Sequence, residues 1–169
     1  MPAVVIDTNV LLVADGQGQT MSDACQIECV ERLERVRDTE QVVLDYSWLI
    51  LSEYKNKLDP NGAPSAGNAF LKWLLQTQST SVYWVTITCK DSAQTEFDEF
   101  PPDATLEAVF DPADRKFVAA ANACPDCNSI LEAADTKWLA WEAALASHGI
   151  SVEFLCRSEL DEIHARKCF

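Results

Sequence analysis

The chain has 169 residues, with 27 acidic side chains against 13 basic ones and a formal net charge of −14 at pH 7. That length suits one domain, residues 1–169, and a hydrophobic share of 48% with five tryptophans excludes a disordered chain. No apolar run reaches the ~18 residues of a membrane span. No basic, then apolar, leader with a cleavage site is visible, so a cytoplasmic protein without membrane contact is expected. So acidic a surface repels nucleic acid at long range. Chemistry on nucleic acid would need metal ions, a local basic patch or a basic partner.

In chain order, Val4-Val5-Ile6 reads as a strand buried on both faces, ending at Asp7 and followed by Thr8 and Asn9. Ser22 or Asp23 caps a helix to about Arg37, with Ile27, Val30, Leu33 and Val36 at helical spacing. Residues 41–46 form a second strand, ending at Asp45 and Tyr46, and Ser47 opens a helix through Glu53 to Leu58. Residues 59–68 form a loop and 69–78 a helix, and 82–88 have the aromatic and β-branched content of a strand. Residues 90–105 read as an irregular acidic connection. Asp111-Pro112-Ala113-Asp114 opens a helix with proline at its first position and acids at the cap and third position. A strand at 129–134 leads to Asp135, and a helix runs from Thr136 to His148, stopped by Gly149. A last strand at 150–155 and a helix at 158–167 complete the chain. Alternating strands and helices predict an α/β fold, a three-layer α/β/α sandwich with a mainly parallel central sheet.

Seven cysteines are an odd number, and in an intracellular chain they should mostly be free thiols. Cys25 and Cys29 lie one helical turn apart, and both could face a core. Cys124 and Cys127 form a CxxC without a second CxxC to complete a structural zinc site. Buried thiols are the simplest reading, and a redox pair or a shared metal site is the alternative.

Asp7 and Asp135 each follow a parallel strand and so belong to the same edge of the sheet. In open α/β sheets, ligands bind at that carboxyl edge. Asp114 lies near a helix start, with Asp111 just before it, and helix starts can reach that edge too. Glu53 lies inside a helix with no local reason to point inward, and Asp45 is its competitor by geometry. Four carboxylates converging without arginine or lysine would repel one another, and a hard divalent cation, Mg²⁺ or Mn²⁺, is the usual reason for such a cluster. His148 and His164 are expected at the surface.

Val5-Ile6-Asp7-Thr8-Asn9-Val10-Leu11-Leu12 resembles the opening of PIN-domain ribonucleases, a family that includes VapC-type toxins. Ile50-Leu51-Ser52-Glu53-Tyr54 resembles the segment carrying that family's second acid. Residues 111–121 resemble the third, with Asp114 as the core acid, and Ala134-Asp135-Thr136-Lys137-Trp138-Leu139 the fourth. The order is right and the resemblance spans nearly the whole chain. The strand before Asp135 departs from the pattern in carrying Glu132, and Ala134 precedes the acid.

The resemblance implies a PIN-like fold and a Mg²⁺- or Mn²⁺-dependent endoribonuclease. Asp7, Glu53, Asp114 and Asp135 are the catalytic and metal-binding acids it implies, with Thr8, Asn9 and Asp111 in support. RNA, or another single-stranded nucleic acid, is the expected substrate. A small antitoxin or other protein, or a second copy of the chain, is the expected partner. The alternative is an acidic protein-binding module or an inactive PIN-like domain acting through a partner.

Overall fold

The computed structural model of the protein describes residues 1–17 and 20–168. Strands β1 (Ala3–Ile6), β2 (Gln41–Asp45), β3 (Val82–Val85), β4 (Cys127–Glu132) and β5 (Val152–Phe154) form one sheet in the order β3-β2-β1-β4-β5, every pairing parallel. Four successive residues of β1 are buried, so both faces of its pleat are covered by protein. Helices α1 (Thr8–Ala14), α2 (Asp23–Thr39), α3 (Leu49–Lys57), α4 (Ala66–Gln76), α5 (Gln78–Ser81), α6 (Ala104–Val109), α7 (Arg115–Ala123), α8 (Lys137–Ser147) and α9 (Arg157–Lys167) flank it. The expected three-layer α/β/α sandwich is therefore the fold. No helix among the described residues is long and apolar enough to cross a membrane.

The strand order fixes where a site can lie. From β1 the chain moves outward to β2 and β3, then returns to place β4 and β5 on the other side of β1. The carboxyl ends of β1 and β4 thus flank a topological switch point, where parallel sheets open a crevice. Beneath them packs α7, whose Phe117, Val118, Ala119 and Ala120 are fully buried.

Several elements differ from the sequence reading. The chain turns directly from Asp7 into α1, because Val10, Leu11 and Val13 bury at helical rather than strand spacing. Helix α3 begins at Leu49 rather than Ser47, behind Trp48, whose φ of 63° lies in the left-handed region. Helix α4 starts earlier, at Ala66, because Asp15 Oδ1 accepts from Gly67 N (2.9 Å) and Asn68 N (3.1 Å) and so caps it from another element. Gly67 is required there, since a Cβ would stand 2.6 Å from the Leu11 carbonyl oxygen. Strand β3 stops at Val85, short of residue 88. The acidic connection that follows is irregular as expected, but Phe97 and Phe100 pin it to the core and α6 grows from its end. Five cysteines are free thiols, while Cys25 and Cys156 form a disulfide that the sequence reading did not include.

Candidate functional site

Asp7 is both a cap and a cleft residue. Its Oδ1 accepts from Asn9 N (3.1 Å) at the start of α1, while the side chain borders an open cleft of about 370 Å³ at the switch point. Glu53, Asp114 and Asp135 border the same cleft. Four acids from four separate segments therefore border one cleft.

Local structure explains each placement. The Tyr54 hydroxyl donates to the Ile6 carbonyl (2.5 Å), the last of β1, and so pins α3 to the strand end. Its neighbour Glu53 then faces Thr8, whose hydroxyl donates to Glu53 Oε2. Asp111 caps the 3-10 turn Pro112–Asp114 by accepting from Ala113 N (3.0 Å). Asp114 stands at the start of α7 without a side-chain cap bond, so its carboxylate is left for the cleft. Asn9 clamps the end of β4, with its Oδ1 accepting from Ala133 N (3.0 Å) and Ala134 N (3.2 Å). That clamp sets the turn carrying Asp135. Asp45 is excluded from the cleft, since its two oxygens accept from Leu49 N (2.9 Å) and Ile50 N (3.0 Å) at the start of α3. His164 is exposed, and His148 is half-buried against Asp103 (3.1 Å).

Two features were not read from the sequence. The first is Glu132, fully buried at the end of β4. Its Oε1 accepts from Asn9 Nδ2, and also from Ala133 N and Asp135 N at 3.1 Å each. Its other oxygen, Oε2, and Asp7 Oδ2 are buried with no N–H or O–H donor. Two neighbouring buried carboxyls without donors cannot both ionise cheaply, which favours one proton shared by the pair. Burial, reinforced by the Asp7 charge, pushes Glu132 well above the usual carboxylate range, so Glu132 holds that proton. Burial also raises Asp7 to about 6, although the bonds from Glu132 and Asn9 oppose it. Asp114 is raised to about 7, by burial and then by the Asp7 charge, with Lys137 opposing.

The second is a set of lysines, contrary to the expectation of a cluster free of basic residues. Lys137 Nζ lies 2.5 Å from Asp111, 3.5 Å from Asp135 and 3.7 Å from Asp114. Lys116 Nζ lies 3.3 Å from Glu53, and Lys57 and Lys167 line the cleft wall. The Asp111 bond to Lys137 is the main cause holding Asp111 below its usual range. Asp111, Asp114 and Asp135 are therefore spread around one ammonium group, and among the described residues no three of the cleft's carboxylate oxygens lie within 4.8 Å of one another. Lys137→Met is expected to lower the melting temperature in EDTA, because Asp111, Asp114 and Asp135 lose their shared cation. Millimolar Mn²⁺ should restore it. An unchanged melt in EDTA would show that Lys137 is only a surface residue.

Comparison with known proteins finds no matching family model, no matching curated protein and no matching solved structure. What stands is a class of architecture: a parallel α/β sandwich with an acidic, lysine-rimmed cleft at its switch point.

Proposed function

We propose that the protein is a divalent-metal-dependent endoribonuclease, as its resemblance to PIN-domain ribonucleases implies. The observation that carries this reading is the convergence of Asp7, Glu53, Asp114 and Asp135 on one cleft. The donor set is all oxygen, without cysteine or histidine, and fits a hard cation such as Mg²⁺ or Mn²⁺. When bound, the metal would supply charge neutralisation at the phosphate and a water acidified for attack.

The chain's own residues do the rest. Asp7, Glu53, Asp114 and Asp135 are the residues that would hold the cation. Thr8 orients Glu53 through its hydroxyl, and Asn9 orients Glu132 and the Asp135 turn. Lys57, Lys116, Lys137 and Lys167 supply the local positive charge that a chain of −14 otherwise lacks. They meet the phosphate backbone at short range, where the general repulsion of the acidic surface matters least. Binding of RNA is accordingly weak without metal.

Incubation of the purified chain with end-labelled single-stranded RNA tests the reading. Cleavage with Mn²⁺ or Mg²⁺ and none in EDTA is expected, and EDTA-resistant cleavage by the pure protein would sink it. A second reading, a module that docks a small protein such as an antitoxin, has one observation in its favour. Tyr46 and Trp48 are exposed beside α3, and Tyr46 stacks on Trp84 at 5.5 Å.

A further inference from the structure

The Cys25, Cys29 and Cys156 sulfurs all lie within 4.8 Å of one another, and all three residues are buried. Cys25 and Cys29 share one face of α2 by their four-residue spacing. Cys156 is the N-cap residue of α9. Cys25 sits in the first turn of α2, where its N–H donates to the Ser22 hydroxyl (3.2 Å). The junction is held together by Glu159 of α9, which accepts from Ser22 N and Oγ at 2.6 Å each. The N-terminal ends of a 17-residue and an 11-residue helix therefore meet at the sulfurs. Both ends favour negative charge, and a thiolate at such a position is stabilised.

A disulfide explains two of the three sulfurs. Cys29 has no role in it, and as a resolving nucleophile it is poorly suited, because burial pushes its thiol up to about 12. A group able to use all three sulfurs is a cation. No fourth cysteine, histidine or carboxylate joins them among the described residues, which leaves the four-coordinate closed site of structural zinc incomplete. Three soft sulfur donors in a buried setting match monovalent copper instead.

We propose that Cys25, Cys29 and Cys156, once the Cys25–Cys156 bond is reduced, form a three-thiolate site for a soft thiophilic cation of the Cu⁺ class. The site is distinct from the carboxylate cleft and from the Cys124/Cys127 pair. Reduction by a small dithiol breaks the Cys25–Cys156 S–S bond. The dithiol gives up two electrons and two protons and closes into its own disulfide. Cu⁺ then displaces the three thiol protons to solvent as three Cu–S bonds form.

The test uses the full chain, reduced with dithiothreitol, desalted without oxygen and titrated with Cu⁺ against a chromophoric Cu⁺ chelator. One equivalent held against the chelator is expected, with a rise in melting temperature through mass action. The Cys124→Ser/Cys127→Ser double variant should hold the same equivalent. Cys29→Ser should bind roughly 100-fold more weakly or worse, since losing a ligand costs at least as much as losing its outer partners. The oxidised wild type should hold none, and this comparison decides the matter without any variant should Cys29→Ser fail to fold. Equal retention by oxidised and reduced protein, retention undiminished in Cys29→Ser, or no retention by the reduced wild type would each overturn the proposal.

Discussion

Asp7→Asn is expected to reduce RNA cleavage to background and, in EDTA at pH 8, to raise the melting temperature by several degrees. The first effect follows from the role proposed for Asp7 as a metal-holding carboxylate. The second follows from the charge that Asp7 carries in a buried place. Its carboxyl is ordinary in the unfolded chain, near 4, and is raised to about 6 in the fold. Between those values the folded state binds more protons than the unfolded state, so stability falls as pH rises through the window. Above about pH 6 the full cost stands, roughly 3 kcal/mol as an upper bound at about 1.4 kcal/mol per pH unit.

Asparagine keeps the shape and the acceptor for Asn9 N but cannot ionise. The gain should therefore be present at pH 8 and shrink towards pH 5, where wild-type Asp7 is largely protonated. Mn²⁺ should stabilise the wild type more than the variant, because the variant has lost one of the proposed ligands. Most substitutions of buried polar residues destabilise, so a gain confined to high pH is diagnostic. Equal melts of both proteins at pH 8 in EDTA, with equal shifts in Mn²⁺, would remove Asp7 from a metal site and leave it as the cap of α1.

The acids of the cleft were unequally legible. Asp7 and Asp135 could be placed from pattern alone, because each ends a stretch that must be a buried parallel strand. Glu53 could not. Its inward direction depends on Tyr54 finding the Ile6 carbonyl, a contact across 48 positions that no local pattern encodes. Asp111 and Asp114 looked alike as helix-start residues, and only the structure separates the cap from the free carboxylate. Asp45 showed the same strand-end signature as Asp7, yet it is spent on the amides of α3. Helix α1 was hidden because a short apolar run fits strand and helix equally well.

The lysines left a signal that went unused. Lys116 and Lys137 both stand in the first turn of a helix, where the macrodipole disfavours positive charge. A lysine there implies a compensating anion, and both have one. Glu132 left the clearest signal of all. A charged residue directly after the apolar pair Ile130-Leu131 calls for the argument that singled out Asp7, namely that desolvating a lone carboxylate is too costly to stand uncompensated.

That compensation gives the second large effect. Glu132→Ala is expected to lower the melting temperature by roughly 10 °C, whereas Glu132→Gln should leave it nearly unchanged. Alanine removes the acceptor of Asn9 Nδ2 and Asp135 N and the protonated carboxyl beside Asp7, all in the protein interior. At about 1–3 kcal/mol for each stranded group, partly offset by entering water, the loss is about 3–5 kcal/mol. A chain of this size shifts by about 2–4 °C per kcal/mol. Ala133 N suffers less, because it also donates to Asn9 Oδ1 (3.0 Å). Glutamine reproduces the protonated acid, with its carbonyl oxygen accepting the same bonds and its amide donating to Asp7 Oδ2. A near-silent Glu132→Gln therefore reports that Glu132 is neutral at working pH. Were Glu132 and Asp7 both ionised instead, with no proton between them, glutamine would remove a charge that repels Asp7 and would stabilise the protein by several degrees. Melts of the wild type and both variants in EDTA at pH 7.5 decide between these states. A destabilising Glu132→Gln would mean that the proton between the two carboxyls does not sit on Glu132.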